Sequence, residues 1–295
     1  MKNYIAIAFF VLLTVGCSKD YYNDVINPNE IRVNAQIDQT RASATSFEIG
    51  DKISLYAVEY SDGVAAKLQI GGNWLNNEQL TFDGMEWRSY RTLYWADALC
   101  DFYALYPYQE FTSIKNQYFE ISTNQNSERT DEALGGYEAS DILFAKAESV
   151  SRADGIVDLN FEHLMSKCIV EIHKGASFEG DMPNDIEVYI YSTSTSAEIN
   201  LANGSLAAVS NGPRKTITMK KLSNTKFEAI VVPQNIHRRT PLFEVTMGGI
   251  SYLLEYSMLF KSGRAHKIDV TINTSPNQEQ EKIEINIDGD IEDWQ

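Results

Sequence analysis

Apolar and polar residues change places every second position from Ile31 onward. Ile31, Val33, Ala35 and Ile37 alternate with Arg32, Asn34, Gln36 and Asp38, the period expected of a strand with one buried face. A polar stretch without periodicity, residues 38–43, follows. From Phe47 the chain resumes as short β-prone runs at 52–58, 87–95, 98–106, 118–121 and 142–145, separated by turns such as Ser61-Asp62-Gly63 and Phe82-Asp83-Gly84. Asp154-Gly155 predicts a type I′ hairpin turn, because glycine accepts the positive φ such a turn requires. Beyond it Val157, Leu159 and Phe161 alternate with Asp158, Asn160 and Glu162, and Cys168, Val170 and Ile172 alternate with Ile169, Glu171 and His173.

The second half repeats the habit at 185–191, 198–201, 215–219, 226–232, 241–247, 251–256 and 267–273, with turns at Asn203-Gly204, Asn211-Gly212-Pro213 and Gly248-Gly249. No run carries a helical period of convincing length. Many short strands at regular spacing predict an all-β fold of sandwiches rather than a parallel α/β sheet. After a polar linker, residues 274–281, the tail returns to a period of two: Ile283, Ile285, Ile287 and Ile291 share one face, Gly289 keeps phase, and Glu284, Asn286, Asp288, Asp290 and Glu292 share the other. A strand with four isoleucines on one side needs a sheet to cover it.

The first residues predict export. Lys2 precedes an apolar run from Tyr4 to Leu13, too short to span a bilayer, and Thr14-Val15-Gly16 places small residues before Cys17. This is the form of a lipoprotein signal, with Cys17 the lipidation site; the alternative is a plain signal peptide in which Cys17 is incidental. More than one acyl chain, palmitate among them, is what stable anchoring requires, at roughly 0.8 kcal/mol per buried CH2. The predicted organisation is a signal peptide (1–16), a flexible spacer (17–29), an N-terminal sandwich domain (30–162), a C-terminal sandwich domain (163–274), and a linker with a terminal strand (275–295).

The formal charge of -16 becomes -17 once Lys2 leaves with the signal, an acidity that repels nucleic acid and anionic headgroups. Cys100 and Cys168 are too few for a disulfide framework and too scattered for a zinc site; each is expected to be a small buried residue, with one bridge between them left open. His163, His173, His237 and His266 form no local metal motif, and Asp288 to Asp293 lacks the spacing of a calcium loop. No phosphate loop, nucleophile elbow or zinc-helix motif is present, so neither cofactor nor metal is expected and the chain is not read as an enzyme. Trp87, Tyr90, Tyr94, Trp95, Phe102, Tyr103, Tyr106 and Tyr108 are expected in the core, with Phe102, Ala104 and Tyr106 on one side of a strand and Tyr103, Leu105 and Pro107 on the other; the competing role is a sugar-stacking platform.

A series of motifs resembles the fimbrillin-like (type V pilus) lipoproteins of the Bacteroidales: Thr40-Arg41-Ala42, Ser46-Phe47-Glu48-Ile49-Gly50-Asp51-Lys52-Ile53, Leu93-Tyr94-Trp95, Asp101-Phe102-Tyr103-Ala104-Leu105-Tyr106-Pro107-Tyr108, Asp141-Ile142-Leu143-Phe144-Ala145, Leu159-Asn160-Phe161-Glu162-His163-Leu164-Met165-Ser166-Lys167, and Val232-Pro233-Gln234. Their order covers nearly the whole chain. The resemblance implies two tandem transthyretin-like Greek-key β-sandwich domains with extra N- and C-terminal strands. It also implies a pilin: a subunit of a cell-surface fimbria, carried as a lipid-anchored precursor to the outer membrane. Assembly would follow cleavage by an arginine-specific protease, and Arg41 matches the processing arginine; otherwise it is a solvated loop arginine.

The resemblance further implies donor-strand exchange with other pilus subunits, homo- or hetero-polymeric. The plug would be the strand of Ile31, Val33, Ala35 and Ile37, and the donor the strand of Ile283, Ile285, Ile287 and Ile291. Four apolar side chains at about 1.5 to 3 kcal/mol each would contribute about 6 to 12 kcal/mol before ordering costs. The alternative function is a non-polymerising surface lipoprotein that binds a glycan or a host protein.

Overall fold

A computed structural model describes residues 27–37, 46–237, 241–276 and 285–294. The first half contributes β1 (Val33–Ile37), β2 (Lys52–Ser61), β3 (Val64–Ala65), β4 (Leu75–Phe82), β5 (Trp87–Ser89), β6 (Cys100–Tyr106), β7 (Gln117–Glu120), β8 (Leu143–Val150) and β9 (Val157–His163). All but β7 form one eight-stranded sheet in the order β1-β9-β8-β6-β2-β4-β5, with β3 attached to β2. The alternation of β9 is expressed as predicted: Val157, Leu159 and Phe161 are buried and the residues between them exposed. Strand β6 is instead buried along both faces. Phe102, Ala104 and Tyr106 join the core of the first half, while Tyr103 and Leu105 join the core of the second, the two-sided arrangement expected from the sequence.

The second half contributes β10 (Ser166–Lys174), β11 (Glu187–Ser194), β12 (Ser196–Asn200), β13 (Ser205–Ala208), β14 (Arg214–Thr218), β15 (Lys220–Lys221) and β16 (Lys226–Val231). It ends with β17 (Gln234–Ile236), β18 (Pro241–Met247), β19 (Ile250–Glu255), β20 (Met258–Phe260), β21 (Arg264–Ile272) and β22 (Ile285–Asp293). One sheet runs β15-β16-β10-β21-β22 and another β14-β11-β18-β19. Val170, Phe227, Ile268 and Val270 from the first share a single buried cluster with Val188, Ile190, Phe243 and Val245 from the second, which makes a β-sandwich.

The halves are sewn together by backbone. Strand β7 pairs antiparallel with β12, so the sheet β13-β12-β7 takes strands from both. Past β7, Ile121 N donates to Thr195 O at 2.9 Å and Thr218 N to Thr123 O at 2.7 Å. The side chain of Gln125, fully buried, then imitates a strand: its Nε2 donates to Ile230 O at 2.8 Å and its Oε1 accepts from Ile230 N at 2.7 Å. Gly204, at φ +66°, turns so close to Phe144 of the other half that a Cβ would lie 2.2 Å from its ring.

Some local expectations change. The β8–β9 connection is not a two-residue type I′ turn: Arg152–Asp154 forms a 3-10 turn capped reciprocally by Ser151 and Asp154, and Gly155 alone takes positive φ. The run 87–95 is strand only at Trp87–Ser89, because the chain then leaves the sheet to meet residues near the N-terminus. Strand β4 went unpredicted, since Leu-Asn-Asn-Glu-Gln-Leu-Thr-Phe carries few apolar residues; β2 and β5 hold it through backbone pairing on both sides. Cys100 and Cys168 are both free and buried, in separate cores, which closes the question of a bridge. Burial pushes the Cys100 thiol up to about 11 and that of Cys168 higher still, so both are inert.

The Gln125 clamp yields a stability test. Gln125→Ala leaves a buried N–H and C=O of Ile230 unpaired and should cost about 2 to 4 kcal/mol, read as a lower urea midpoint with an unchanged slope.

Candidate assembly site at the terminal strands

The N-terminal segment fills a gap between the two ends of the eight-stranded sheet. On one side β1 lies parallel to β9, with Val33 opposite Val157 and Ile37 opposite Phe161. On the other, Ile31 N donates to Leu93 O at 2.8 Å and Trp95 N to Asn29 O at 2.9 Å, with Glu30 bridging antiparallel to Tyr94. Residues 93–95 come shortly after β5, the far edge strand of that sheet, so residues 29–37 link β9 to the segment that follows the opposite edge.

Ile31 and Val33 are buried and Ala35 and Ile37 partly so, all against that core. On the outer face Asn34 Nδ2 donates to Asp158 Oδ1 at 2.8 Å and Gln36 Nε2 to Asn160 Oδ1 at 2.6 Å. Phe47, ten residues beyond β1, spans the same gap, its ring edge-on to Trp87 at 4.9 Å and to Phe161 at 5.4 Å.

Strand β9 depends on this partner. It registers with β8 only at Leu143–His163 and Phe144–Glu162, whereas β1 pairs along Val157 to Phe161. Without β1, that stretch of backbone and three buried apolar side chains would face a vacant edge. The pairing is made of main-chain bonds and alternate side-chain pockets, which any strand with the same period can satisfy.

The C-terminal strand is seated on its own chain. β22 runs antiparallel to β21 over nine residue pairs, from Ile285–Ile272 to Asp293–Arg264, at the edge of the second-half sheet. Residues 285, 287, 289 and 291 are the register partners of Ile272, Val270, Ile268 and His266, the buried positions of β21. Ile291 remains half exposed. Gly289 is needed where it stands, because a Cβ would come within 2.5 Å of Tyr256 Oη. Asp288, Asp290 and Glu292 are exposed, the solvated strand face expected of them.

Sequence reading missed the residue that ends this strand. Trp294 is buried and its ring lies parallel to that of His163 at 4.0 Å, while its N–H donates to Gly263 O at 3.4 Å. His163 is the last residue of β9 and its Nδ1 sits 3.0 Å from Asp141 Oδ1. Trp294 falls outside the period-two phase of the tail, so nothing in the pattern marked it. Three of the sequence-predicted site residues, Cys17, Arg41 and Ile283, lie outside the described residues.

Of the aromatic set, Trp87, Trp95, Phe102, Tyr103 and Tyr106 are buried and Tyr90 and Tyr94 exposed; exposed Trp74 donates its Nε1 hydrogen to Tyr94 O at 2.9 Å. Among the described residues, Glu171, His173 and Asp269 are the one group whose arrangement suits a metal ion, with ligand atoms within 4.8 Å of one another.

The sequence profile of the fimbrillin-like family matches residues 40–294, nearly the whole of this architecture. The chain belongs to the fimbrillin-like family. Membership supports a fimbrial or adhesion subunit at the cell surface, associating with other pilus subunits. The fold is also that of a candidate cell adhesion protein from Bacteroides ovatus, 22% identical, with a TM-score of 0.68 over 90% of this chain and 97% of that one. A second candidate cell adhesion protein, from Bacteroides uniformis, is 22% identical with a TM-score of 0.63, covering 91% of this chain and 100% of the other. A fimbrial protein from Bacteroides vulgatus, 14% identical, gives 0.51 over 90% and 99%. No curated protein matches the sequence.

Two measurements probe how this fimbrillin-like chain holds its last strand. Trp294→Ala removes the stack on His163 and should speed amide exchange across Ile285–Asp293 by at least about tenfold, equivalent to about 1.4 kcal/mol, leaving β10 protected. Acid should act through His266, which is fully buried and whose basicity falls from 6.5 to about 4, chiefly by burial and then by Lys261. The unfolded chain binds this proton more readily. Stability from His266 is therefore complete above pH 6.5 and lost as pH falls toward 4, by up to about 3 kcal/mol. Comparing pH-dependent urea melts of the wild type and His266→Gln isolates this slope from the carboxylates.

Proposed function

We propose that this chain is a structural and adhesive fimbrial subunit exported as a lipoprotein precursor and assembled by strand exchange. Cys17 carries the lipid that holds the precursor on the outer membrane, facing outward. Arg41 is the bond at which an arginine-specific protease separates the plug from the subunit. The observation that carries this reading is the double pairing of residues 29–37, whose loss opens a groove between β9 and residues 93–95. Into that groove goes the C-terminal strand of a neighbouring subunit, Ile283, Ile285 and Ile287 taking the places of Ile31, Val33 and Ala35, with Gly289 at the position of Ile37 and Ile291 one step beyond. The donor must first leave its own β21, so the cis pairing of β22 belongs to the unassembled precursor.

Both ends fit one groove on physical grounds: each offers a row of aliphatic side chains at alternate positions, and main-chain pairing reads no sequence. The boundary between two transthyretin-like sandwich domains is taken at residues 162–163, at the end of β9 and shortly before β10. A second reading draws on exposed Trp74, Tyr90 and Tyr94. In it the uncleaved lipoprotein binds a glycan or host protein through stacked rings.

The test is proteolysis of the purified precursor by an arginine-specific protease. Cleavage after Arg41 should release residues 17–41 and be followed by a ladder of detergent-resistant polymers. A chain shortened before residue 285 should be cut at the same bond without polymerising. Retention of residues 17–41 while distant loops are nicked would sink the proposal, and glycan binding abolished by Trp74→Ala, with no polymer formed, would favour the second reading.

A further inference from the structure

The outward face of the second-half sheet carries a row of like charges. Glu171 on β10 is the register partner of Asp269 on β21, and Asp269 is the register partner of Asp288 on β22. Partners in adjacent strands share a face of the sheet, and like charges directly opposite one another oppose pairing. His173, two residues along β10 on the same face, brings Nε2 to 2.7 Å from Asp269 Oδ1. One ligand atom each from Glu171, His173 and Asp269 falls within 4.8 Å of the others, and all three residues are part-exposed and open to an entering ion.

Positive charge nearby is limited. Lys267 Nζ lies 3.5 Å from Glu171 Oε2 and 3.9 Å from Asp269 Oδ1. Lys226 is the register partner of Glu171 on its other side, and Asp290 that of Lys267. Among the described residues four carboxylates thus confront two ammonium groups, and the excess falls where the last strand joins the sheet.

We infer that Glu171, His173 and Asp269 form a divalent cation site, with Asp288 of the C-terminal strand as fourth ligand, and that the ion fastens this strand to β21. One imidazole with two or three carboxylates is a borderline donor set, suited to Zn2+ and poorly suited to Mg2+ or Ca2+, which take oxygen ligands throughout. An entering ion takes the place of the His173–Asp269 hydrogen bond, drawing both atoms onto itself. It turns the Asp269–Asp288 opposition into a shared bond. Sequence spacing could not reveal the site, because Asp269 lies 96 residues from His173.

The experiment uses the full chain in detergent, titrated with ZnCl2 in a calorimeter and followed by amide exchange, with MgCl2 as control. Saturation at one Zn2+ per chain is expected, slowing exchange across Ile285–Asp293 at least tenfold, while Mg2+ does neither. His173→Ala should weaken Zn2+ binding at least tenfold, and Glu171→Gln serves the same purpose if that variant folds poorly. Asp288→Asn should slow exchange without metal, by removing the repulsion, and abolish the further slowing by Zn2+. The site is overturned if Zn2+ does not saturate, if the substitution at His173 or Glu171 leaves binding unchanged, or if Mg2+ acts equally, as diffuse screening would. Zn2+ bound with exchange unaltered overturns the coupling to the strand. No polymerisation is involved, so either failure is separable from the strand-exchange reading.

Discussion

A sheet that wraps around a single core has two ends, and each end is a row of unpaired N–H and C=O groups beside exposed apolar side chains. In this chain one short segment pairs with β9 at one end and with the residues that follow β5 at the other. Residues 29–31 pair antiparallel with 93–95 and residues 33–37 pair parallel with β9, so the core behind Phe161, Trp87 and Trp95 is closed by nine residues near the N-terminus. Everything else in the first half is arranged to leave that slot. β9 has little other pairing over Val157 to Phe161, and Phe47 spans the opening from within. Such a slot is filled through main-chain bonds and alternate side chains, so it reads a period rather than a sequence.

The motif around Phe47 shows how a loop is held firm beside a replaceable strand. Glu48 N donates to Asp51 Oδ2 at 2.8 Å and Gly50 takes φ +91°, a tight turn that leaves the Asp51 carboxylate buried. Arg129 then reaches Asp51 Oδ1 at 2.8 Å, tying the turn to a distant loop. A buried charge that kept no partner would cost several kcal/mol, so this pair is a constraint on geometry more than a source of stability.

At the other end of the chain the same kind of pairing recurs. β22 has an edge of its own, a seat on β21 and a terminal Trp294 that stacks on His163, the residue at which β9 ends. The two terminal strands are thereby brought to the same junction between the halves, although each lies in a different sheet. Acidic residues on the exposed face of β22 suit an edge strand that must not pair indiscriminately, since like-charged edges repel one another.

The strands themselves were legible because burial of one face imposes a period of two, and that period is written in Ile31 to Ile37, Val157 to Phe161 and the isoleucines of the tail. The all-β class and the two-sided burial around Phe102 followed from such local patterns, and the family resemblance from a series of short motifs along the chain. Strand β4 was illegible because backbone pairing, not side-chain burial, defines it. The type I′ turn was misjudged because Ser151 and Asp154 cap each other in three dimensions. Which strand lies beside which was beyond the sequence altogether: register joins residues a hundred positions apart, and only there do Asp269 meet His173, Trp294 meet His163, and the N-terminal segment meet both ends of one sheet. Periodicity is a property of neighbours along the chain, whereas closure, stacking and charge opposition belong to neighbours in space.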